Sequence, residues 1–395
     1  MKVVRCILKE GREKPLEGRH PWVFSGAIDE IDDNFQAGDL VKVYSRRNQF
    51  LGIGYLNPRS QIAVRMLTFE DTRIDAAFFQ KKIRDAVALR SYLFHNGGSA
   101  TNAYRLIHSE GDFLPGLVVD RYADYLVVQF LTAGMDGWRE AIVEILQKEM
   151  PVRGIFERDD SEWRDREGLE KRVGRLAWED PPDYINITEN GHSFMVDIHG
   201  GQKTGFFLDQ RENRALAAGM SRGRRVLNCF SYTGAFSVYA AKGGAAATVS
   251  VESSGAAVNT ARANFEKNGL APEHHALVEE DVFQYLRSSR QEFDLIILDP
   301  PAFCKNKNQI QQASRGYKDI NLFALKRLSP GGMLLTASCS SYVDPDLFQK
   351  ILFGAAKDAR RNVRILAKTS HAPDHPVNIY HPEGEYLKGL LCQVS

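Results

Sequence analysis

The residues best suited to chemistry lie at the end of an apolar run in the last third of the chain. That run ends in Asp299-Pro300-Pro301, and an aromatic side chain follows at Phe303. Two adjacent prolines neither extend a strand nor enter a helix interior, so the backbone after Asp299 is stiff and lacks amide donors. A carboxylate, exposed carbonyls and a ring together suit a flat polar group, of which a nucleobase is the commonest example. The alternative is a plain strand-to-loop exit, because Asp-Pro turns are frequent.

Cys339 is the second candidate for chemistry. It follows the predicted strand Gly332 to Ser338 and is surrounded by small hydroxyl residues. If this strand pairs with the one ending at Asp299, their carboxyl ends lie ~4.8 Å apart. A free thiol has a pKa of about 8.5, and its thiolate is a strong nucleophile. The alternative is a small buried apolar side chain, the more common fate of a lone cysteine. Cys304, on the loop after the prolines, is the competing nucleophile and ranks second.

Three successive strand ends carry groups that suit an adenosine. A glycine-containing turn follows the first strand, Glu252 ends the second, and Asp281 ends the third. Gly234 lets a cofactor approach the backbone, Glu252 suits ribose hydroxyls, and Asp281 suits an adenine amine. The turn is not GxGxxG, so S-adenosylmethionine fits the pattern better than NAD or ATP. The alternative for each residue alone is helix capping or an exposed charge. The turn consists of Phe230, Ser231, Tyr232, Thr233 and Gly234.

A polar, glycine-marked segment precedes the first of these strands. Residues Gly200 to Arg211 predict a hairpin tip that leads into a helix, and they include Lys203, Thr204 and Gln210. We expect these three side chains to close over the methionine end of the cofactor. The alternative is an ordinary hairpin and helix cap.

Strand and helix alternate from about residue 183 to residue 395. This alternation predicts an α/β fold with a doubly wound, mostly parallel, seven-stranded sheet and a site outside the carboxyl ends of its strands. Ser254 is the expected N-cap of one helix. The predicted strands are Gly223–Asn228, Ala247–Glu252, Leu277–Glu280, Asp294–Asp299, Gly332–Ser338, Val363–Thr369 and Tyr386–Val394. The predicted helices are Gly234–Lys242, Ser254–Asn268, Val282–Ser288, Gln309–Leu328 and Asp344–Asp358.

Residues 1–70 and 71–182 have different patterns. Short β-like runs and frequent glycines predict a small barrel or sandwich in the first stretch. Its basic inter-strand segments favour RNA docking, although a solvated surface without a partner fits equally well because acidic residues offset the charge. The second stretch predicts a central α+β domain with helices at Ala76–Asn96 and Asp136–Met150. The densely charged stretch Ser161–Arg172 predicts an exposed connector.

Composition narrows the function classes further. A chain of 395 residues suggests two or three domains, and a net charge of +1 argues neither for nor against nucleic acid. Five widely spaced cysteines with no CxxC pair argue against a disulfide framework and against a zinc site. The sequence has no apolar run of membrane-spanning length and no signal-peptide pattern at its start. We therefore expect a cytoplasmic protein with no membrane partner and no metal.

Taken together, these motifs resemble a known enzyme family. The chain resembles the PUA-domain-containing, S-adenosylmethionine-dependent methyltransferases that form 5-methylcytosine in bacterial large-subunit (23S) ribosomal RNA. The joint occurrence of the motifs is specific, although Asp-Pro-Pro alone is shared with methyltransferases of exocyclic amines and guanine. The motifs are His20–Gly26, Gly111–Leu117, Gly201–Phe207, Asn228–Gly234, Leu298–Phe303, Ser338–Ser340 and Glu385–Gly389.

The resemblance implies a class I, Rossmann-like methyltransferase domain after a PUA-like RNA-binding module, with ribosomal RNA as substrate. It implies that Cys339 is the nucleophile, while Asp299 and the carbonyl of Pro300 or Pro301 hold the base. Asp299 is in addition a predicted cofactor contact. Related enzymes carry a second cysteine directly after the proline of this motif. Pro301 stands there in this chain, which argues against a release role for Cys304. Family members are often homodimers, so a homodimer is also implied.

Two other functions fit parts of the pattern. A methyltransferase for guanine or for an exocyclic amine would use the Asp-Pro-Pro motif without Cys339. A non-catalytic RNA-binding protein would keep the β module and the cofactor fold. The intact adenosine trio argues against the second of these.

Overall fold

The computed structural model describes residues 2–94 and 100–395, and these divide into two compact units. The first unit contains the described residues up to Asn190, together with Val196–Leu208 and Pro373–Gly384. The second contains Gly191–Met195, Asp209–Ala372 and Glu385–Ser395.

The first unit begins with a six-stranded sheet in the order β2-β6-β5-β4-β1-β3. Strands β1 and β4 are parallel, and the other neighbouring pairs are antiparallel. The short β-like runs of the sequence at Lys2–Leu8, Leu40–Tyr44, Phe50–Tyr55 and Gln61–Met66 are confirmed as strands β1, β4, β5 and β6. Strands β2 and β3 were missed because each is only three or four residues long. The elements are β1 (Val3–Leu8), α1 (Lys14–Glu17), β2 (Trp22–Phe24), β3 (Ile28–Ile31), β4 (Leu40–Tyr44), β5 (Phe50–Leu56) and β6 (Ile62–Thr68).

The first unit also contains a five-stranded sheet in the order β11-β10-β9-β8-β7. Buried side chains of α2 and α4, such as Phe79, Ile83 and Ile142, belong to the same apolar core as this sheet. The predicted α+β character is confirmed. The elements are α2 (Ala76–Phe94), β7 (Ala103–His108), β8 (Leu117–Tyr122), β9 (Tyr125–Phe130), α3 (Ala133–Gly137), α4 (Arg139–Glu149), β10 (Gly154–Asp159), α5 (Glu162–Glu167), β11 (Arg172–Trp178) and β12 (Ile185–Glu189).

Three local predictions for this unit need correction or completion. The stretch Ser161–Arg172 is not an exposed connector, because it forms α5 and buries Arg164 fully. The Arg164 guanidinium lies 2.7 Å from the Asp159 carboxylate, so the buried charge is paired. The single helix predicted over Asp136–Met150 is two helices, α3 and α4, which meet at Trp138. Helix α2 ends at Phe94 among the described residues, and positions 95 and 96 of its predicted range lie outside them.

The second unit is built on a seven-stranded sheet in the order β16-β15-β14-β17-β18-β20-β19. Among these seven, only β20 is antiparallel to its neighbours, so the predicted mostly parallel sheet is confirmed. The elements are β13 (His192–Val196), α6 (Arg211–Gly219), β14 (Arg225–Cys229), α7 (Ala235–Lys242), β15 (Ala247–Glu252), α8 (Gly255–Lys267), β16 (His275–Glu279), α9 (Val282–Ser288), β17 (Phe293–Leu298), α10 (Ile310–Arg327), β18 (Leu328–Ser338), α11 (Pro345–Ala359), β19 (Val363–Thr369) and β20 (Lys388–Val394).

The segment Gly200–Arg211 differs from its prediction in one respect. It follows β13 and continues into a 3-10 turn at Leu208–Gln210 and then α6, so it leads into a helix as expected. It is not a hairpin tip, because the next regular elements are helical. Its glycines therefore shape an irregular loop.

Neither a membrane-spanning helix nor a metal-binding cluster is found in the described chain. No helix within 2–94 or 100–395 combines the length and apolar character needed to cross a bilayer. The same residues contain no group of three or more His, Cys, Asp or Glu side chains placed to hold a metal ion.

Candidate active site

Asp299 lies immediately after β17, where the parallel strands of the second unit end. Strand β17 pairs with β18, and Leu298 lies opposite Thr336. The Gln210 side chain donates from Nε2 to Asp299 Oδ1 at 2.7 Å, and Asn213 Nδ2 donates to Gln210 Oε1 at 2.6 Å. Gln210 and Asn213 are both buried. These two side-chain hydrogen bonds fix the orientation of the Asp299 carboxylate. They bring together Gln210 and Asp299, which the sequence predicts as site residues from two separate motifs.

Cys339 lies immediately after β18 and beside the proline elbow. Its Sγ is 3.9 Å from the carbonyl oxygen of Pro300. The other four cysteines are buried, whereas Cys339 is partly exposed. The structure therefore brings Cys339 to the Asp299-Pro300-Pro301 elbow, as the pairing of the two strands predicts.

Cys304 occupies a different environment. It is buried, its Sγ donates to the carbonyl of Asn306 at 3.2 Å, and its backbone N–H donates to Ser340 Oγ at 3.1 Å. A nucleophile must reach its substrate. The accessible thiol at the elbow is accordingly that of Cys339.

Lys388 is a site residue to which the sequence analysis assigned no role. It begins β20, lies opposite Ser338 of β18, and donates from Nζ to the Ser340 carbonyl at 2.7 Å. Burial lowers the pKa of Lys388 to about 8, and a negative charge on Cys339 acts in the opposite direction. The Lys388 ammonium and a Cys339 thiolate attract each other, so the ammonium favours the ionised form of the thiol. Its one sequence signal is membership of the Glu385–Gly389 motif.

The turn after β14 is held in a strained conformation. Phe230 and Tyr232 adopt positive φ angles of 57° and 47°, which side chains other than glycine rarely do. The Tyr232 amide donates to Glu252 Oε2 at 2.9 Å, and the amides of Ser253 and Ser254 donate to Glu252 Oε1 at 2.9 and 3.0 Å. The Glu252 carboxylate is thus fixed at the end of β15, beside the turn, as the sequence predicts.

Gly234 closes the same turn where no larger residue fits. Its φ is 78°, and an added Cβ would lie 2.8 Å from Cε1 of Phe265. Asn264 Nδ2 donates to the Thr233 carbonyl at 2.9 Å, which ties the turn to α8. The turn is therefore rigid before any ligand binds.

Asp281 and Phe303 each contact another part of the protein: Asp281 caps a helix, and Phe303 packs on a second ring. Asp281 Oδ1 accepts from the Gln284 amide at 2.9 Å and so caps α9, which is the alternative considered for this residue. This cap uses one of its two carboxylate oxygens. The Phe303 ring is half-buried and packs on Tyr317 at a centroid distance of 4.6 Å. Contact of Asp281 with adenine, and of Phe303 with a base, stay predictions.

Lys203 and Thr204 belong to the first unit. The Thr204 hydroxyl is buried, donates to Asp120 Oδ2 at 2.5 Å, and lies 2.9 Å from the hydroxyl of Tyr122. The Lys203 ammonium lies 4.6 Å from the centroid of the Phe207 ring. Their predicted roles at the cofactor stay predictions.

Comparison with known proteins identifies the type of enzyme. A PUA-like domain family matches residues 6–69, and a family described as S-adenosylmethionine-dependent methyltransferase matches residues 172–379, more than half of the chain. The "Ribosomal RNA large subunit methyltransferase I" of Photobacterium profundum is 47% identical over 98% of both chains, and that of Shewanella denitrificans is 48% identical over 99% of both. This chain belongs to the family of S-adenosylmethionine-dependent methyltransferases. The family resemblance and the enzyme class inferred from the motifs are confirmed.

A solved structure supports both the fold and the cofactor. The crystal structure of SMU.776, described as "a putative methyltransferase complexed with SAH", has a TM-score of 0.86 against this chain, with 27% identity and full coverage of both chains. The predicted Rossmann-like methyltransferase domain after a PUA-like module is confirmed. S-adenosylmethionine is the cofactor of this methyltransferase, as predicted.

Unsatisfied polar atoms in the turn after β14 fit that cofactor. Ser231 Oγ and Thr233 Oγ1 are buried and have no hydrogen-bond partner within the described residues. An orphaned buried hydroxyl is costly, and a polar ligand that bonds to it removes the cost. These two hydroxyls, together with the fixed carboxylate of Glu252, form a donor and acceptor set suited to the ribose and amino-acid groups of S-adenosylmethionine.

Proposed function

We propose that this methyltransferase modifies C5 of a cytosine in large-subunit (23S) ribosomal RNA in the cytoplasm. The observation that carries the proposal is the partly exposed thiol of Cys339, 3.9 Å from the Pro300 carbonyl at the Asp-Pro-Pro elbow. Methylation of an exocyclic amine or of guanine needs no thiol, because those positions already have a nucleophilic nitrogen. The names of the relatives and the PUA-like module support ribosomal RNA as the substrate.

The first half of the reaction makes C5 nucleophilic. Cytosine C5 is a weak nucleophile, and the target base must leave any stack before an enzyme can reach it. The Cys339 thiolate adds to C6, so the C5=C6 electron pair becomes available at C5. Asp299 and a proline carbonyl hold the N3 and N4 edge of the base, and a proton held between Asp299 and N3 neutralises the charge that develops on the ring. S-adenosylmethionine, when bound, would supply the electrophilic methyl group to which C5 bonds, with S-adenosylhomocysteine as the leaving group.

The second half restores the aromatic ring and the free enzyme. The C5 proton leaves to a base or to water, and the electron pair of that C–H bond re-forms the C5=C6 double bond. The electron pair of the C6–S bond returns to sulfur, which regenerates the Cys339 thiolate. One proton is released for each methyl group transferred, and no oxidant or reductant is needed.

The product nucleoside tests this function. The protein is incubated with tritium-labelled S-adenosylmethionine and large-subunit ribosomal RNA from cells that lack the enzyme, and the RNA is digested to nucleosides. We expect the label in 5-methylcytidine. Label in N4-methylcytidine or a methylguanosine would establish the competing methyltransferase class. An absence of label would favour the non-catalytic RNA-binding alternative.

Lys388 gives a pH-dependent prediction for the same site. We expect Lys388→Met to raise the pH midpoint of Cys339 alkylation by iodoacetamide by about one unit, because an opposite charge nearby favours the thiolate. The charged groups that act on Lys388 are Cys339, Asp344 and Glu385. With a pKa of about 8, the ammonium is present at pH 7 and is lost as the pH rises above 8. The effect of the substitution is therefore largest below pH 8. The measurement is the alkylation rate between pH 6 and 10.

A control separates charge from packing at this position. Lys388→Arg keeps the positive charge, and we expect its pH midpoint of Cys339 alkylation to lie near that of the wild-type protein. Equal alkylation midpoints for Lys388→Met and the wild-type protein would contradict the role assigned to Lys388. The homodimer and the metal-free reaction implied by the sequence stay predictions.

A further inference from the structure

A cavity of about 140 Å³ lies within the first unit. It is larger than the roughly 30 Å³ that a single water occupies in the liquid, so it accommodates a group of several heavy atoms. Five parts of the unit line it: the residues just before β2, the end of β6 with the residues that follow, helix α2, the turn at 109–115, and the segment Pro373–Gly384. Its charged lining residues are Arg19, Glu70, Lys82 and Glu110, and its exposed aromatic residues are Phe113 and Tyr380.

Two aromatic side chains of this cavity are exposed. Phe113 is 52% exposed and Tyr380 is 43% exposed. Phe113 also has a φ of 58°, a left-handed conformation that is unfavourable for a bulky residue. A Cβ on Gly111 would overlap the carbonyl of Pro376, so the turn that carries Phe113 and the segment that carries Tyr380 are tightly apposed. Strained backbone that presents an exposed ring often indicates a binding site.

Two cations without a salt-bridge partner lie beside these rings. The Lys82 ammonium is 5.3 Å from the Phe113 ring centroid, and the Arg19 guanidinium is 6.0 Å from that of Tyr380. Neither forms an ion pair within 4.0 Å among the described residues. Burial lowers the pKa of Lys82 to about 8, as does the charge of Lys81, whereas Asp85 and Glu70 act in the opposite direction. A bound anion would stabilise both charges.

The acidic residues of the cavity do not cancel these charges fully. Glu110 is buried and lies 2.8 Å from the Arg65 guanidinium, and the Trp22 indole N–H also donates to it at 2.8 Å. Its charge is therefore already compensated. Glu70 is the other acidic residue of the lining, so one uncompensated negative charge faces the two positive charges of Lys82 and Arg19. The lining thus combines exposed ring faces with a positive charge that has no protein counter-ion within contact distance.

We propose that this cavity binds one unstacked nucleotide of the substrate RNA. Its base stacks on Phe113 or Tyr380, and its phosphate lies near Lys82 and Arg19. Aromatic faces next to cations are the usual means by which proteins hold single-stranded RNA, and an acidic peptide would leave the ring faces unused. Stacking of this kind tolerates any base, so the cavity anchors the RNA and does not read its sequence. The inference rests on the proposed function, which supplies RNA as the ligand.

The test measures binding of a fluorescently labelled 12-nucleotide oligouridylate to the full chain by anisotropy. We expect the Phe113→Ala/Tyr380→Ala double variant, which removes both candidate stacking rings, to weaken binding about 5- to 150-fold, the range for loss of one stacked base. We expect Lys82→Gln to reduce the slope of log affinity against log salt by about 0.7, the value for one phosphate contact on a single strand. Thermal unfolding midpoints confirm that the variants are folded.

Two control variants lie on α2, the helix that carries Lys82. Tyr92→Ala removes a 69% exposed ring of α2, and Lys81→Gln removes a lysine that pairs with Asp85 at 2.8 Å. Neither should change binding. Oligouridylate contains no cytosine, so the assay is independent of methyl transfer, which the nucleoside analysis reports separately. Equal binding by the wild-type protein and the Phe113→Ala/Tyr380→Ala double variant, or an absence of binding by the wild type, would overturn the proposal.

Discussion

Cys339→Ala is expected to abolish methyl transfer while S-adenosylmethionine still binds. The substitution removes the sulfur that adds to C6, and without that addition C5 stays too weak a nucleophile. We expect the rate to fall by on the order of 10⁴-fold or more, as is common when a covalent nucleophile is removed. Cofactor affinity should be unchanged, because Cys339 is not among the predicted cofactor contacts. The measurements are the single-turnover methylation rate and cofactor binding by calorimetry.

Cys304→Ala is the matched control for this experiment. Cys304 lies on the loop after the same elbow, but it is buried and donates to the Asn306 carbonyl. We expect this variant to retain methyl transfer at a rate close to that of the unmodified protein. Full activity of Cys339→Ala would rule out the covalent route. Loss of activity only in Cys304→Ala would identify Cys304 as the nucleophile.

Asp299→Asn is expected to reduce the methylation rate by about 10²- to 10³-fold, comparable with the loss of one preorganised hydrogen-bonding group at the reacting centre. The asparagine has the same shape and keeps an oxygen that can accept from Gln210 Nε2, so the local packing is retained. It lacks the carboxylate that holds the proton at N3 of the base. The measurement is the single-turnover rate at saturating RNA, with cofactor affinity measured in parallel.

Asp294→Asn provides a control on the same strand. Asp294 lies near the start of β17, where it is 3.1 Å from the Arg225 guanidinium. We expect its substitution to leave the methylation rate nearly unchanged. A near-normal rate for Asp299→Asn would contradict the role assigned to Asp299. If cofactor affinity falls while the rate at saturating cofactor is kept, Asp299 holds the cofactor and not the base.

The sequence predicts the α/β fold of the second unit well because its signals are local. Strand β15 and helix α9 have the predicted bounds, and the Ser254 hydroxyl caps α8 by accepting from the Ala257 amide at 3.4 Å. Apolar runs and capping residues fix such elements within a few positions. The approach of Cys339 to the elbow follows from the same reasoning, because two adjacent parallel strands end together.

Features that depend on distant contacts could not be read from the sequence. Gln210 and Asp299 are 89 positions apart, and each amide in the Asn213–Gln210–Asp299 series is oriented by its neighbour. Lys388 reaches the Cys339 loop only because the last strand inserts antiparallel beside β18. The charged stretch that forms α5 has the pattern of a solvated segment, because the Asp136 carboxylate that lies 3.0 Å from the Arg164 guanidinium is 28 positions away in the sequence. Such pairings are decided by the completed fold.

The most direct test of the central claim is a search for the covalent bond between Cys339 and the RNA. The protein is incubated with S-adenosylmethionine and large-subunit ribosomal RNA transcribed with 5-fluorocytidine. Fluorine at C5 cannot leave as a proton, so the C6–S bond formed in the first half of the reaction cannot be broken by the normal elimination. We predict a stable protein–RNA complex whose peptide map places the nucleotide on Cys339, and no complex with Cys339→Ala. Methylation of the fluorinated RNA without an adduct, or an adduct on another residue, would contradict the account.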